Sequence, residues 1–452
     1  LIIVIKLEIT MKLSPLNPVA SGMDRSWLCL TLFAAFILPI SGKEDGSKNW
    51  AHWRGHGGNS ISMTAQPPTE WSDTKNVKWK VEIPGKGSGS PVIWGDQVFV
   101  VSAVSDGNAS ASRFGFGRSE QKLSFQLFCF DRETGNLKWK RTAVEEVPHE
   151  GTHETNGYAS ASPCTDGERV YAHFGSRGLF CYDMDGRLLW SRADFGEMTT
   201  RAGFGEGSSP TLAGNAILVP WDHEGPSALY ALDKKSGGTL WKAVRDEPTC
   251  WATPLVVSSD GGDQVIMNGQ SKARAYDLQT GKELWSCGGQ TQRPVASPVH
   301  FDGITMIGSG FRGSFLGAFK LDGRGNIEGR EQVVWTTPDD TPDIASPMLS
   351  DGRLYFHKGK TGILTCLDAV TGKVLFGPER IPGVSLTYAS PVAAGGHIYL
   401  TGRRGNITVI KDAPTLEIIA TNSLGEGVDA TPAPVGHELF VRGERHLFCL
   451  SE

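Results

Sequence analysis

The chain has 452 residues, 44 Lys and Arg against 49 Asp and Glu for a net charge of −5, and 56 Gly. That balance gives no sign of a nucleic acid or an anionic membrane as partner. The length would allow two or three ordinary domains, but abundant Gly with modest charge points to many short strands joined by tight turns.

Arg25 is followed by the apolar run Trp27 to Leu38, then by Pro39, Ser41 and Gly42. One positive charge ahead of a dozen apolar or small residues is a secretory h-region, too short to span a bilayer. Residues 1–42 therefore read as an upstream extension plus a signal peptide at about 23–42. The folded unit begins near 43, and its expected location is periplasmic or extracellular. No later stretch is long and apolar enough to be an integral membrane segment.

From there the chain repeats itself. A Ser-Pro or Thr-Pro pair opens eight successive units, at Pro91, Pro163, Pro210, Pro254, Pro298, Pro347, Pro391 and Pro432, and all but the first spacing lie between 41 and 49 residues. A period of that length is the signature of a propeller blade. The unit at 254–285 shows the plan: strands at Leu255 to Val257, Gln264 to Met267, Ala273 to Leu278 and Glu283 to Trp285. Asp260-Gly261-Gly262 and Asp277-Leu278-Gln279-Thr280-Gly281 supply the turns, since Asp bonds the backbone ahead of it and Gly takes the positive φ. The predicted fold is all-β: one eight-bladed propeller of four-stranded antiparallel blades, spanning 43–452. The eighth unit ends at Leu450 without a fourth strand, while Val77 to Val81 stands alone upstream of the first. The ring is thus expected to close through the N-terminal strand.

The Asp-x-x-Thr/Ser-Gly turn ends in an aromatic residue at Trp139, Trp241, Trp285 and Phe376. A Trp fixed on the outer strand reads as packing between blades. Cys129, Cys181, Cys366 and Cys449 share one repeat position with Ala231, Ala275 and Ala318. A position that accepts Cys or Ala wants a small buried side chain, so a disulfide framework is not expected.

The repeat Ala/Cys-x-Asp-x-x-Thr-Gly-x-x-x-Trp resembles that of the PQQ-type eight-bladed propellers. Those include quinoprotein alcohol dehydrogenases and the propeller lipoprotein of the outer-membrane barrel-assembly machinery. The leader Trp50-Ala51-His52-Trp53-Arg54-Gly55 resembles the segment that opens secreted members of the group. The resemblance spans nearly all of 50–452. It implies either a non-catalytic binding role or a dehydrogenase carrying PQQ with calcium, whose calcium and base residues no local motif places here.

In such a blade the A–B and C–D turns share one face, and the B–C and D–A loops share the other. The first set is stereotyped and the second varied, so function is expected on the B–C/D–A face. The candidate ligand-binding residues there are His153, Arg201, Glu206, Trp251 and Arg293, together with Arg312, Lys358, Arg403, Arg404 and Arg442. Arg offers a planar fork for anionic or polar planar ligands, and Trp251 offers a stacking wall. The longer first unit places a loop at about Ala103 to Lys122 that reads as a cover for the funnel. His149-Glu150-Gly151-Thr152-His153 matches a zinc-protease pattern by letters, but Pro148 and Gly151 place it in a loop rather than on the helix that chemistry needs. No catalytic or metal residues are assigned. The expected activity is that of an exported, monomeric, non-catalytic binding or scaffold protein for a protein, peptide or carbohydrate. The alternative is a PQQ- and calcium-dependent alcohol or sugar dehydrogenase.

Overall fold

Each Ser-Pro or Thr-Pro pair leads into the innermost strand of one four-stranded antiparallel sheet, where proline's missing N–H costs no ladder bond. The computed structural model describes residues 48–105 and 121–452, and within them eight such sheets form the propeller. Residues 1–42, expected to hold a signal peptide, and most of the expected Ala103–Lys122 loop lie outside the described residues. The strands flanking that loop run further than the sequence suggests, to Ser105 on one side and from Leu123 on the other. Blade 4 matches its expected plan, with strands A to D at Leu255–Val257, Gln264–Met267, Ala273–Asp277 and Glu283–Cys287. Among the described residues no helix is long and apolar enough to cross a membrane.

Strand alternation puts side chains on both faces of every sheet, and both faces are covered by neighbours. The core is accordingly divided among the gaps between blades: Leu255, Ile266 and Trp285 of blade 4 pack with Ile307 and Phe319 of blade 5, and the same pairing recurs around the ring. All seven cysteines in the described residues are buried and free, as the Cys/Ala alternation implies. Burial pushes the thiols of Cys129, Cys181 and Cys366 up to about 12, so they behave as small apolar groups.

The turn motif and the outer-strand Trp form one device. The carboxylate of Asp277 accepts from the amide of Thr280 at 2.8 Å and from its hydroxyl at 2.6 Å, and Asp131, Asp233 and Asp368 repeat the arrangement. The following Gly lies flat beneath the Trp of the preceding blade, whose indole N–H donates to a turn carbonyl: Trp241 to Leu278 at 2.9 Å, Trp139 to Met184 at 3.0 Å. A Cβ on Gly281, at φ 71°, would stand 2.5 Å from the Trp241 ring. Gly281→Val should therefore cost about 2 kcal/mol or more. Gly214→Ala, with a similar φ of 56° but open space around it, should cost distinctly less. Equal losses in chemical denaturation would refute the docking argument.

The ring closes as expected. Val77–Glu82 is the outer strand of blade 8, antiparallel to His446–Ser451, with Trp79 opposite Cys449. The rest of the leader lies against the inner strands. Ile61–Ser62 pairs in parallel with Ala393 and Ala394 of blade 7. Arg54, fully buried, donates to Pro298 O at 2.8 Å, Pro347 O at 2.9 Å and Ser60 Oγ at 3.2 Å.

Around the axis, the serine and threonine that precede each proline are linked to one another. The amide of Ser90 donates to Ser162 Oγ, Ser162 to Ser209, Ser209 to Thr253, Thr253 to Ser297, Ser297 to Ser346, Ser346 to Ser390, Ser390 to Thr431 and Thr431 back to Ser90, at 2.9–3.1 Å throughout. The hydroxyl at these positions satisfies the buried amide of the preceding blade, which explains why only Ser or Thr occupies them.

Candidate functional site

The axial ring is the floor of a cavity of about 200 Å³ that opens on the B–C/D–A face. Trp53 of the leader, all of the ring except Ser390, and residues of successive D–A loops line it. Four lining aromatic or charged groups come from different blades: Trp251, Arg293, Lys360 and Tyr388. Trp251 is fixed by an N–H donated to Gly205 O at 2.7 Å.

Arg293 is buried, at φ 42°, with its guanidinium carbon 3.5 Å from the ring centre of Phe311 and 5.9 Å from that of Phe204. A bulky residue at positive φ is strained and persists only where its surroundings over-determine it. Its nearest carboxylate oxygen, on Asp343, is 3.8 Å away, and Lys360 Nζ lies 4.0 Å from the same oxygen. Arg403 pairs with Asp429 at 2.8 and 3.3 Å and stacks 4.6 Å from the Tyr388 ring centre. Burial lowers the Arg293 and Lys360 pKa values, and burial raises those of Asp343 and Asp429. Burial likewise lowers the His153 pKa, helped by the charges of Lys360, Arg293 and Arg403.

The expected site residues divide by position. His153, Trp251 and Arg293 line the funnel, and Arg403 stands behind Tyr388 with its charge engaged by Asp429. Arg201 and Arg312 lie close enough to weaken the Arg293 cation. Arg404 is exposed, and Lys358 is an exposed partner of Asp340 at 2.5 Å. Glu206 and Arg442 are elsewhere. Glu206 is engaged by Arg177 at 2.9 Å and by Ser176 beside His149. Arg442 is sealed between blades 8 and 1, donating to Val101 O.

Sequence reasoning counted Lys360 with Lys358 among the basic B–C loop residues but kept only Lys358 in the candidate site, and it took the ring hydroxyls only as strand openers. The available signal was chemical: eight positions that admit a hydroxyl and nothing else.

Among the described residues one trio of potential metal ligands clusters within 4.8 Å: His149, Glu150 and Glu206. It is already internally satisfied. Glu150 accepts from the amide and hydroxyl of Thr200, and Arg177 supplies the positive charge, 2.9 Å from Glu206 and 3.2 Å from His149 Nδ1. The segment from His149 to His153 is a loop, so the zinc-protease pattern has no helix to sit on. In the funnel both carboxylates already face cations, a field that opposes a dication. The described residues do not fit calcium beside a quinone there.

Residues 125–378, more than half of the chain, match the family described as outer membrane protein assembly factor BamB. The chain belongs to the BamB family. A BamB of Burkholderia pseudomallei (strain K96243) is 22% identical over 402 residues, covering 83% of this chain and 88% of that protein. The BamB of Francisella salina is 26% identical over 125 residues, covering 25% of this chain but only 22% of that protein. Among solved structures, BamB from Moraxella catarrhalis superposes with a TM-score of 0.54 at 14% identity, covering 83% of this chain and 97% of that one. The quinohemoprotein alcohol dehydrogenase of Comamonas testosteroni gives 0.60 at 10% identity, covering 91% and 81%. At such identities the superpositions establish the shared propeller alone. Membership of the BamB family supports a non-catalytic scaffold or binding role.

Proposed function

We propose that this chain is an exported, non-catalytic binding protein of the cell envelope that engages a partner polypeptide through its B–C/D–A face. The observation that carries this reading is the asymmetry of the two faces. One presents a funnel with charged and aromatic groups from several blades, and the other presents repeated Asp–Thr–Gly turns. The names of the BamB relatives, assembly factors for outer membrane proteins, fit a protein partner and an envelope location. Loops of varied chemistry on a rigid ring are where a scaffold's specificity resides.

Arg404, Arg312 and Lys358 on the rim test this without touching a buried group. Replacing all three by Ala should weaken capture of an envelope partner by roughly tenfold or more, as expected for lost charge-assisted contacts. The melting temperature should hardly move, because exposed charges add little stability. Lys235, Lys282 and Lys373, exposed beside the turns of the opposite face, form the control set. Arg132 is unsuited to that control, since it pairs with Glu438 at 2.6 Å across blades 1 and 8. Loss of capture with the control set alone would show that the wrong face was chosen.

A further inference from the structure

Two sets of donors at the axial cavity have their capacity unspent. The first is the ring of hydroxyls, all but Ser390 of which line the cavity. Each oxygen accepts an amide from the neighbouring blade, and among the described residues none donates its own proton to a protein acceptor. A hydroxyl is one donor as well as an acceptor, so each retains a proton to give. The second is Arg293. It makes no side-chain hydrogen bond, its Nε is sealed from solvent without a partner, and 3.8 Å to Asp343 is too long for one.

Charge gives the same answer. Arg293, Lys360 and Arg403 face Asp343 and Asp429, and neither contact of Asp343 is shorter than 3.8 Å, so its two cations are only loosely engaged. Burying a cation whose donors are unmet is costly, and a single negative charge would remove that cost. A carboxylate brings one such charge on two acceptor oxygens. The Arg293 guanidinium lies 3.5 Å from the Phe311 ring centre and 5.9 Å from that of Phe204, and its planar fork can pair a carboxylate two-on-two. At about 200 Å³ the cavity has room for a small acid or an acidic side chain but not for a folded segment.

We propose that the axial funnel is a carboxylate-binding site, in which Arg293 and Lys360 pair the anion, the ring hydroxyls solvate it, and Trp251 and Tyr388 flank the group that carries it. The proposal rests on the loop face being the working face and names the chemistry recognised at its centre. The carboxylate has two sources, an acidic side chain on the partner polypeptide or a free small acid.

The test titrates the full chain with three probes, followed by Trp fluorescence and calorimetry: a capped pentapeptide with one central Glu, its Gln counterpart, and glutarate. The Glu peptide should bind at least tenfold more tightly than the Gln peptide. Arg293→Gln should weaken Glu-peptide binding by about tenfold to a hundredfold, the value of a lost charge-assisted pair, and Lys360→Gln by less. Lys360→Gln, at a half-exposed position, keeps the test decisive if Arg293→Gln fails to fold. Saturation by glutarate as readily as by the Glu peptide assigns the site to a free acid. Binding of the Glu peptide alone assigns it to a polypeptide. Equal affinities for Glu and Gln peptides, or carboxylate binding that both substitutions leave unchanged, would overturn the proposal. If no carboxylate binds while the rim substitutions still weaken partner capture, the funnel proposal falls and the face assignment stands.

Discussion

A chain lacking residues 71–82 should fail to form a closed ring. Blade 8 would keep Ala433–Val435, Glu438–Arg442 and His446–Ser451 but lose the strand that pairs with the last of these. The loss removes Trp79 and Val81 from the cluster they share with Phe440 and Leu447, and it bares a full strand edge. An uncovered edge of this kind recruits other chains. The expected result is a melting temperature lower by ten degrees or more, or association visible on a sizing column, since the loss of several kcal/mol is large against marginal stability. Deleting 106–120 is the comparison, because shortening a loop changes closure entropy only slightly. If both truncations melt together, closure by this strand is not what holds the ring.

Acid should unfold the protein before most of its carboxylates titrate. His173 and His357 are buried, and His52 is half-buried beside Arg54. Desolvation lowers the pKa values of His173 and His357 to about 4, and desolvation with the Arg54 charge lowers that of His52 to about 3. In the unfolded chain each returns to about 6.5, so between about pH 6.5 and 4 the unfolded state binds more protons than the folded one. Stability is therefore fully present above about 6.5 and is lost as pH falls through that window. Each histidine contributes on the order of 2–3 kcal/mol across it. Asp131, Asp233 and Asp368 have pKa values depressed by their Thr or Ser hydrogen bonds, so what they contribute is lost only at lower pH. Replacing His173 and His357 together by Leu should shift the midpoint of acid unfolding downward by about half a pH unit or more. An unchanged pH profile would show that these rings are protonated without cost.

The fold was legible because the same instructions are written eight times. Proline at the strand start, the Asp–Thr–Gly turn and the outer Trp each have one local physical meaning, and repetition confirms it. Blade 5 shows where local reading ends. Its stretched third turn folds back so that Gly325–Asn326 pairs in parallel with the outer strand of blade 4, covering Trp285, which no local signal announced. The site was legible only as a face. Arg293 and Arg442 look alike in a loop sequence, yet one lines the funnel and the other is buried between blades. Which arginine faces the axis depends on loop backbone angles, and the φ of 42° at Arg293 is a tertiary outcome rather than a residue preference.

The leader has a bearing on how the molecule is made. Residues 49–82 leave the ribosome ahead of every blade, yet their partners are scattered from Ile93 through Pro298, Pro347 and Ala394 to Leu450. A segment made before every blade is thus among the last to find its place. Until the final blade emerges, the growing chain is an open arc with bare edges at both ends, the state in which repeat proteins misassemble. Closure of the ring therefore waits for the end of synthesis.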